Sequence, residues 1–296
     1  MKSKATKSVS YLKRFLEPQY TAPFFTTLFI FLCIKSFVFD VAFVRSPSMN
    51  NTLKADEMVF VTKIYTLKQN DLVRISLPLA NQDSGITSAY VFKRVVALPG
   101  DTVEVRYSKV WVNGKCLPIN EMFLHNYIAK IKAKADTSVF EKAEIHEKYL
   151  IDDSCVYLVA LKEKVFTVLN DQNFFSSLIS NEEDSADYDA NIFPNDAQYK
   201  WNKDFFGPLY VPKKGDTLKL DTNSVKLYKR IINDFENNKL EVKNEEILIN
   251  EMETTYYIVQ RNYYFVTGDN FDNSLDSRHW GFIPEKKIRS KVLFKQ

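Results

Sequence analysis

Apolar side chains dominate from Tyr20 to Val44, with an uninterrupted core over Thr21–Ile34 and a first lysine, Lys35, inside the run. About 10–14 such residues suit a buried helix or a signal-peptide core, whereas about 20 reach across a bilayer. A lysine near a helix end snorkels to the interface along its own stem. Counting residues 20–39 therefore predicts a transmembrane anchor. No small-x-small cleavage site follows the run, which argues for a retained segment rather than a cleaved one.

Beyond the anchor the period changes. Phe37–Phe39, Met58–Val61, Leu72–Ile75, Tyr90–Phe92 with Val95-Val96, and Val103–Val105 are short β-branched or aromatic runs. Turn chemistry separates them at Asn70-Asp71, Pro99-Gly100-Asp101 and Asn113-Gly114, which predicts antiparallel β structure. Residues 121–206 have another texture and are expected to be an insertion. There, Phe123, Leu124, Tyr127, Ile128 and Ile131 fit an amphipathic helix with Lys130, Lys132 and Lys134 outside. Ser180–Asp196 is acidic and polar and reads as a mobile surface loop. Strands resume at Leu209–Val211, Ile247–Ile249, Tyr256–Val259 and Tyr263–Val266. Gly215-Asp216-Thr217-Leu218-Lys219-Leu220 echoes Gly100-Asp101-Thr102-Val103-Glu104-Val105, a weak internal repeat. The expected organisation is a basic tail (1–19), the anchor (20–39), a first β part (40–120), the insertion (121–206) and a second β part (207–296).

Composition narrows the function. The 296 residues are 45% hydrophobic, enough for a sizeable core, and the net charge is only +3 with both signs dispersed. No nucleic-acid partner is expected, because such a partner calls for a concentrated basic face. The early charge is local: Lys2, Lys4, Lys7, Lys13 and Arg14 stand against Glu17 alone. The positive-inside rule then keeps the N-terminus cytoplasmic. Three histidines and three cysteines make a metal centre or a Ser-His-Asp triad poorly served, so no metal or other cofactor is expected. Cys33 lies in the apolar run, and the sequence leaves open whether Cys116 and Cys155 pair.

Three segments carry chemistry. Ser46-Pro47-Ser48-Met49-Asn50-Asn51-Thr52-Leu53 follows the anchor. Lys93-Arg94-Val95-Val96-Ala97-Leu98-Pro99-Gly100-Asp101 sets a lysine among Val91, Phe92, Val95 and Val96. Gly268-Asp269-Asn270-Phe271-Asp272-Asn273-Ser274-Leu275-Asp276-Ser277-Arg278-His279-Trp280-Gly281 is too dense in turn residues, acids and hydroxyls for packing alone. Its acids miss the EF-hand spacing. In this order, after an N-terminal hydrophobic segment, the three resemble the catalytic boxes of bacterial type I signal peptidases. Those patterns run Ser-Gly-Ser-Met-x-Pro-Thr-Leu, Lys-Arg-x-x-Gly-x-Pro-Gly-Asp and Gly-Asp-Asn-x-x-x-Ser-x-Asp-Ser-Arg-x-Trp-Gly. The resemblance covers residues 20–120 and 208–290 in outline.

The resemblance implies a mainly β, signal-peptidase-like antiparallel catalytic core with an N-terminal transmembrane helix and an inserted α/β or irregular region. It implies a membrane-bound serine endopeptidase that removes signal peptides from preproteins, cutting after a small residue in an Ala-x-Ala context. By position, Ser48 is the nucleophile and Lys93 its general base. Ser46 donates to the oxyanion, Ser274 orients Lys93, and Asp276 pairs with Arg278. Met49, Leu53, Val91, Phe92 and Val44 line the substrate pocket. The implied partners are preprotein signal peptides, the lipid bilayer and the secretion machinery. The implied location is the inner membrane, single-pass, with the catalytic part on the periplasmic side.

Elementary chemistry agrees with the Ser–Lys reading. A serine hydroxyl needs an adjacent base, and lysine serves only when neutral. Its free pKa of about 10.4 falls by up to about 3–5 units on burial among apolar groups. Arg94 does not deprotonate and is excluded, and His279 stands where the pattern is indifferent. Several positions depart from the pattern: Arg45, Pro47, Asn51, Ala97 and Phe271. Pro47 bears most directly on the oxyanion site, since it fixes φ and lacks an N–H. A self-cleaving repressor-type protease and an inactive preprotein-binding relative are the competing readings. The hydrophobic N-terminal segment argues against the first, and the joint presence of Ser48, Lys93 and Ser274 against the second.

Overall fold

The computed structural model describes residues 18–78, 88–132, 137–152, 155–171 and 175–295. The basic residues from Lys2 to Arg14, Glu17 and Lys134 lie outside this set. Along the chain come β1 (Phe39–Phe43), β2 (Met58–Thr62), β3 (Leu72–Pro78), β4 (Ser88–Ala97), β5 (Thr102–Arg106), β6 (Lys109–Val112) and β7 (Lys115–Cys116). Then follow β8 (His125–Lys130), β9 (Lys148–Asp152), β10 (Val156–Leu161), β11 (Ser177–Ser180), β12 (Phe206–Tyr210) and β13 (Thr217–Lys219). The last are β14 (Leu240–Lys243), β15 (Glu246–Ile249), β16 (Met252–Glu253), β17 (Tyr256–Ile258), β18 (Tyr263–Thr267), β19 (Ile283–Pro284) and β20 (Ile288–Lys295). The protein is mainly β.

Seven strands form the sheet that carries the chemistry, in the order β1-β2-β20-β3-β4-β18-β19. Its neighbours pair antiparallel throughout. The two halves of the chain are interleaved here, since β20 sits between β2 and β3 and β18 beside β4. β4 joins two runs that the sequence separates, Tyr90–Phe92 and Val95-Val96. Successive side chains on a strand point to opposite faces, so Val91, Lys93 and Val95 share one face of β4 and Phe92 and Arg94 the other. The registers Val73↔Lys93 and Ile75↔Val91 extend the first face. Val73, Ile75, Val95, Val266 and Ile283 pack there as one buried cluster. Val44, Met49, Leu53, Val59, Val61 and Phe92 form another.

One turn design recurs. In Lys54–Glu57, Lys68–Asp71, Leu98–Asp101 and Lys213–Asp216 the last residue is an acid whose carboxylate accepts the N–H of the first, at 2.7–2.8 Å. The third residue has positive φ: Asp56 64°, Asn70 72°, Gly100 96°, Gly215 91°. Each turn then exchanges two backbone hydrogen bonds with a strand-like partner, Val44, Val95, Val211 or Val259. The sequence echo of Gly100 and Gly215 reveals two of the four. Asn and Asp enter the left-handed region often enough to replace glycine in the others.

The region of the expected insertion departs from its reading. Phe123–Ile131 holds no helix: His125–Lys130 is a strand paired with β10 on one side and β11 on the other. Asn126 is buried on one face, and His125, Tyr127 and Ala129 are buried on the other. Buried Phe123 and Ile131 continue the same parity beyond the strand ends. The four-stranded sheet β11-β8-β10-β9 packs its own core of Tyr127, Ala129, Phe140, Val159, Leu161, Leu169 and Phe175. Helices lie instead at Ser138–Lys142 and Glu163–Asp171. Beyond Ser180 the chain to Asp196 has no regular structure but is tied down. Asn202 Nδ2 donates to the carbonyls of Asp184 and Asp187 at 2.8 and 3.1 Å, and Ile192 and Phe193 enter the main core.

One open point closes and one further expectation changes. Cys33, Cys116 and Cys155 are free. The anchor segment is a helix, Pro18–Phe37, but no helix among the described residues is long and apolar enough to cross a membrane. Its 20 residues rise about 30 Å at 1.5 Å each, so length is not the deficit. Gln19, Thr21, Pro23, Thr26, Thr27, Lys35 and Ser36 dilute its apolar content. Phe24, Phe25, Phe29, Ile30, Phe31 and Leu32 nevertheless lie exposed along it.

Candidate active site

Ser48 sits in a single 3-10 turn, Pro47–Met49, capped by Ser46, whose Oγ accepts the Ser48 N–H at 3.3 Å. Proline suits the first position of such a turn, where its fixed φ fits and no N–H is required. The glycine-to-proline departure at position 47 is thus accommodated locally. Ser48 and its neighbour Met49 are buried.

Lys93 projects from β4 into the same place. Its Nζ lies 2.6 Å from Ser48 Oγ and 2.9 Å from Ser274 Oγ, and only 2% of the residue is exposed. The Trp280 ring centroid is 5.8 Å from the amine. Among the described residues no carboxylate touches Nζ. Burial therefore dominates and lowers the Lys93 pKa from 10.5 to about 8, against the weaker pull of Asp276. With that value roughly a tenth of the molecules carry a neutral Lys93 at pH 7, far more than for a free lysine, and neutral amines accept protons.

Ser274 follows the 3-10 turn Phe271–Asn273. It approaches because Gly268 has no side chain: a Cβ there would lie 2.3 Å from both Ser274 Oγ and the Ser48 carbonyl oxygen. Asp276 caps the short helix Ser277–Trp280. It accepts from Arg278 at 3.0 and 2.9 Å and from the Gly268 N–H at 3.1 Å. Burial pushes the Asp276 carboxyl up, but the Arg278 guanidinium outweighs it and holds the acid below the usual range. Burial alone would lower the Arg278 pKa; Asp276 raises it. Burial lowers the His279 pKa.

The structure thus brings together Ser46, Ser48, Lys93, Ser274, Asp276 and Arg278. Met49, Leu53, Val44 and Phe92 pack as one apolar cluster beside Ser48, each buried. Val91 is half-buried, on the Lys93 face of β4, and packs against the other cluster. Three features escaped sequence reasoning. Arg94, beside the base but on the opposite face, is clasped by Asp269 at 2.8 and 2.5 Å and donates to the Asn70 carbonyl at 2.7 Å. Asn270 holds the nucleophile turn, its N–H on the Ser48 carbonyl at 3.1 Å and its Nδ2 on the Pro47 carbonyl at 3.2 Å. Glu147, from the four-stranded region, accepts from Asn50 and Asn270. The Lys-Arg dipeptide on a strand was the one signal for the first, since alternation sends the two cations to different faces.

A family model described as "Signal peptidase, peptidase S26" matches residues 18–187 and 209–295. Among curated proteins, the chain is 24% identical over 302 residues to "Signal peptidase I" of Buchnera aphidicola subsp. Acyrthosiphon pisum (strain APS), covering 99% of this chain and 77% of that one. It is 27% identical over 314 residues to "Signal peptidase I" of Buchnera aphidicola subsp. Baizongia pistaciae (strain Bp), covering 97% and 79%. A shorter match, 57% identical over 36 residues, joins it to "Signal peptidase I" of Aquifex aeolicus (strain VF5), covering 12% of this chain and 14% of that protein.

Proposed function

Because the chain belongs to the signal peptidase family, peptidase S26, and is a serine endopeptidase that removes signal peptides from preproteins, we propose that Ser48 and Lys93 perform the cleavage. The observation that carries this is the 2.6 Å approach of a buried amine, with its pKa near 8, to a serine oxygen. Neutral Lys93 takes the Ser48 proton as Oγ attacks the scissile carbonyl. The resulting ammonium gives that proton to the leaving amine, and the acyl-enzyme is hydrolysed by water that Lys93 activates in turn. Ser274 fixes the direction of the amine without adding charge. Ser46 accepts the Ser48 N–H and keeps its own hydroxyl hydrogen for the developing oxyanion. Asp276 and Arg278 hold the loop that carries Ser274.

We read the substrate as an extended peptide with small residues at the cut and two positions earlier, the Ala-x-Ala pattern. Met49, Leu53, Val44, Phe92 and Val91 are its shallow apolar floor, which excludes large side chains. The exposed apolar helix Pro18–Phe37, continued by exposed Phe39, Val41 and Phe43 of β1, is the element we assign to contact with lipid, on the extracytoplasmic face where preproteins emerge. That attachment raises the effective concentration of a membrane-tethered substrate. Flotation with vesicles checks it: deletion of residues 1–37 releases the protein to the bottom fraction. We also propose that the insertion expected over 121–206 narrows to His125–Ser180, which packs a separate core.

Detergent-solubilised protein mixed with a preprotein tests the central reading. Release of the mature chain is expected, and its loss in Ser48→Ala and Lys93→Ala with retained circular dichroism. The rate rises with pH through a midpoint near 8 as Lys93 deprotonates, falling about tenfold per unit well below it. Normal cleavage by either variant, or a midpoint near that of free lysine, defeats the mechanism.

A further inference from the structure

The nucleophile turn is held from outside the two catalytic parts. Glu147 immediately precedes the edge strand β9. One of its oxygens accepts from Asn50 Nδ2 and the other from Asn270 Nδ2, the latter at 3.0 Å. These two asparagines flank Ser48. Asn50 ends its turn and donates its N–H to the Pro47 carbonyl at 2.9 Å. Asn270 donates to the carbonyls of Pro47 and Ser48.

An ionised carboxylate only accepts, and an asparagine amide nitrogen only donates. Glu147 therefore fixes the orientation of both amides at once. Asn270 Oδ1 is left facing Asn273 Nδ2 at 3.1 Å, and Asn273 exchanges two 3.1 Å hydrogen bonds with Asn126 on β8. The four-stranded region grips the site at both ends of this relay. Glu147 itself is only half-buried, so its removal strands no buried charge.

We infer that Glu147 is a positioning residue for Ser48, acting through Asn50 and Asn270, and that this is what the inserted region contributes to catalysis. The inference rests on the proteolytic reading above. A nucleophile displaced by about 1 Å loses on the order of 10²-fold in rate, whereas substrate contacts remain.

The test measures kcat, KM and the pH profile of the full chain in detergent with a preprotein. Glu147→Ala is expected to lower kcat about 10- to 100-fold, with KM within about twofold and the Lys93 midpoint unmoved. Glu147→Gln, which retains one acceptor oxygen, falls between the two. Asn50→Ala loses a comparable factor, and the double variant Asn50→Ala/Glu147→Ala is no slower than Glu147→Ala. Unchanged kcat in Glu147→Ala, a raised KM at constant kcat, or losses that multiply in the double variant each overturn the assignment. Should Glu147→Ala fail to fold, Glu147→Gln and Asn50→Ala decide by the same criteria. A parent chain that cleaves nothing defeats the proteolytic reading itself; an active parent matched by Glu147→Ala defeats only the positioning role.

Discussion

The two faces of β4 treat adjacent cations in opposite ways. Arg94 meets a bidentate carboxylate, Asp269, and a backbone carbonyl. Lys93, one residue earlier, meets two hydroxyls and an indole ring and, among the described residues, no carboxylate. Both side chains are buried, so desolvation acts on each. The guanidinium is compensated and holds β4 to the last catalytic segment. The amine is left uncompensated, and its proton becomes easy to remove. Burial alone therefore does not make a base; burial with the counter-charge withheld does.

The largest break in this contrast is Lys93→Arg, which keeps the charge and removes the ability to lose it. Activity should fall by at least about 10³-fold at every pH below 11, and a preprotein cleavage assay reads it. Next is Asp269→Ala, which strands Arg94. A loss of about 3–5 kcal/mol in urea unfolding is expected, with Asp269→Ala/Arg94→Met recovering most of it. Lys93→Met sharpens the comparison from the other side. A pKa displaced from 10.5 to about 8 corresponds to about 3 kcal/mol of destabilisation at 1.36 kcal/mol per unit. At pH 7 the charge is present in both folded and unfolded chains and the cost is full. Between pH 8 and 10.5 the unfolded chain binds more protons, so the parent gains stability as pH rises. Lys93→Met should therefore be inactive and more stable than the parent by about 2–3 kcal/mol at pH 7, an advantage that shrinks across that window. Equal stability at pH 7 would mean that the amine is solvated. The smallest effect is Ser274→Ala, which removes one oriented hydrogen bond and should slow cleavage about tenfold with little change in melting temperature.

The strands around the site were legible because their apolar runs are short and punctuated by turn residues. The catalytic boxes were legible because each is local in sequence. What joins the boxes was not. Arg94 and Asp269 are 175 positions apart, and neither residue advertises its partner. The helix expected over Phe123–Ile131 failed for a readable reason. Phe123, Leu124, Tyr127, Ile128 and Ile131 satisfy a helical period, but Phe123, His125, Tyr127, Ala129 and Ile131 also satisfy a period of two, in which His125 and Ala129 are only weakly apolar. Pairing with β10 and β11 then decided between them. The N-terminal helix was located correctly, but its threonines, Pro23 and Lys35 weigh more in the apolar average than a simple count of length suggests. Glu147 carried no signal at all, being one acid in a mixed-charge stretch.

Gly268 gives the site its clearance. The Ser48 carbonyl and the Ser274 hydroxyl converge on the point where any other residue would place its first side-chain carbon. The spacing between nucleophile loop and orienting serine is thus set by a missing methyl group. Alanine at 268 would act as a wedge, prising Ser274 from the amine while leaving every reactive group chemically intact. An enzyme so altered would retain its full complement of catalytic atoms, with the nucleophile loop and the orienting serine pushed off register.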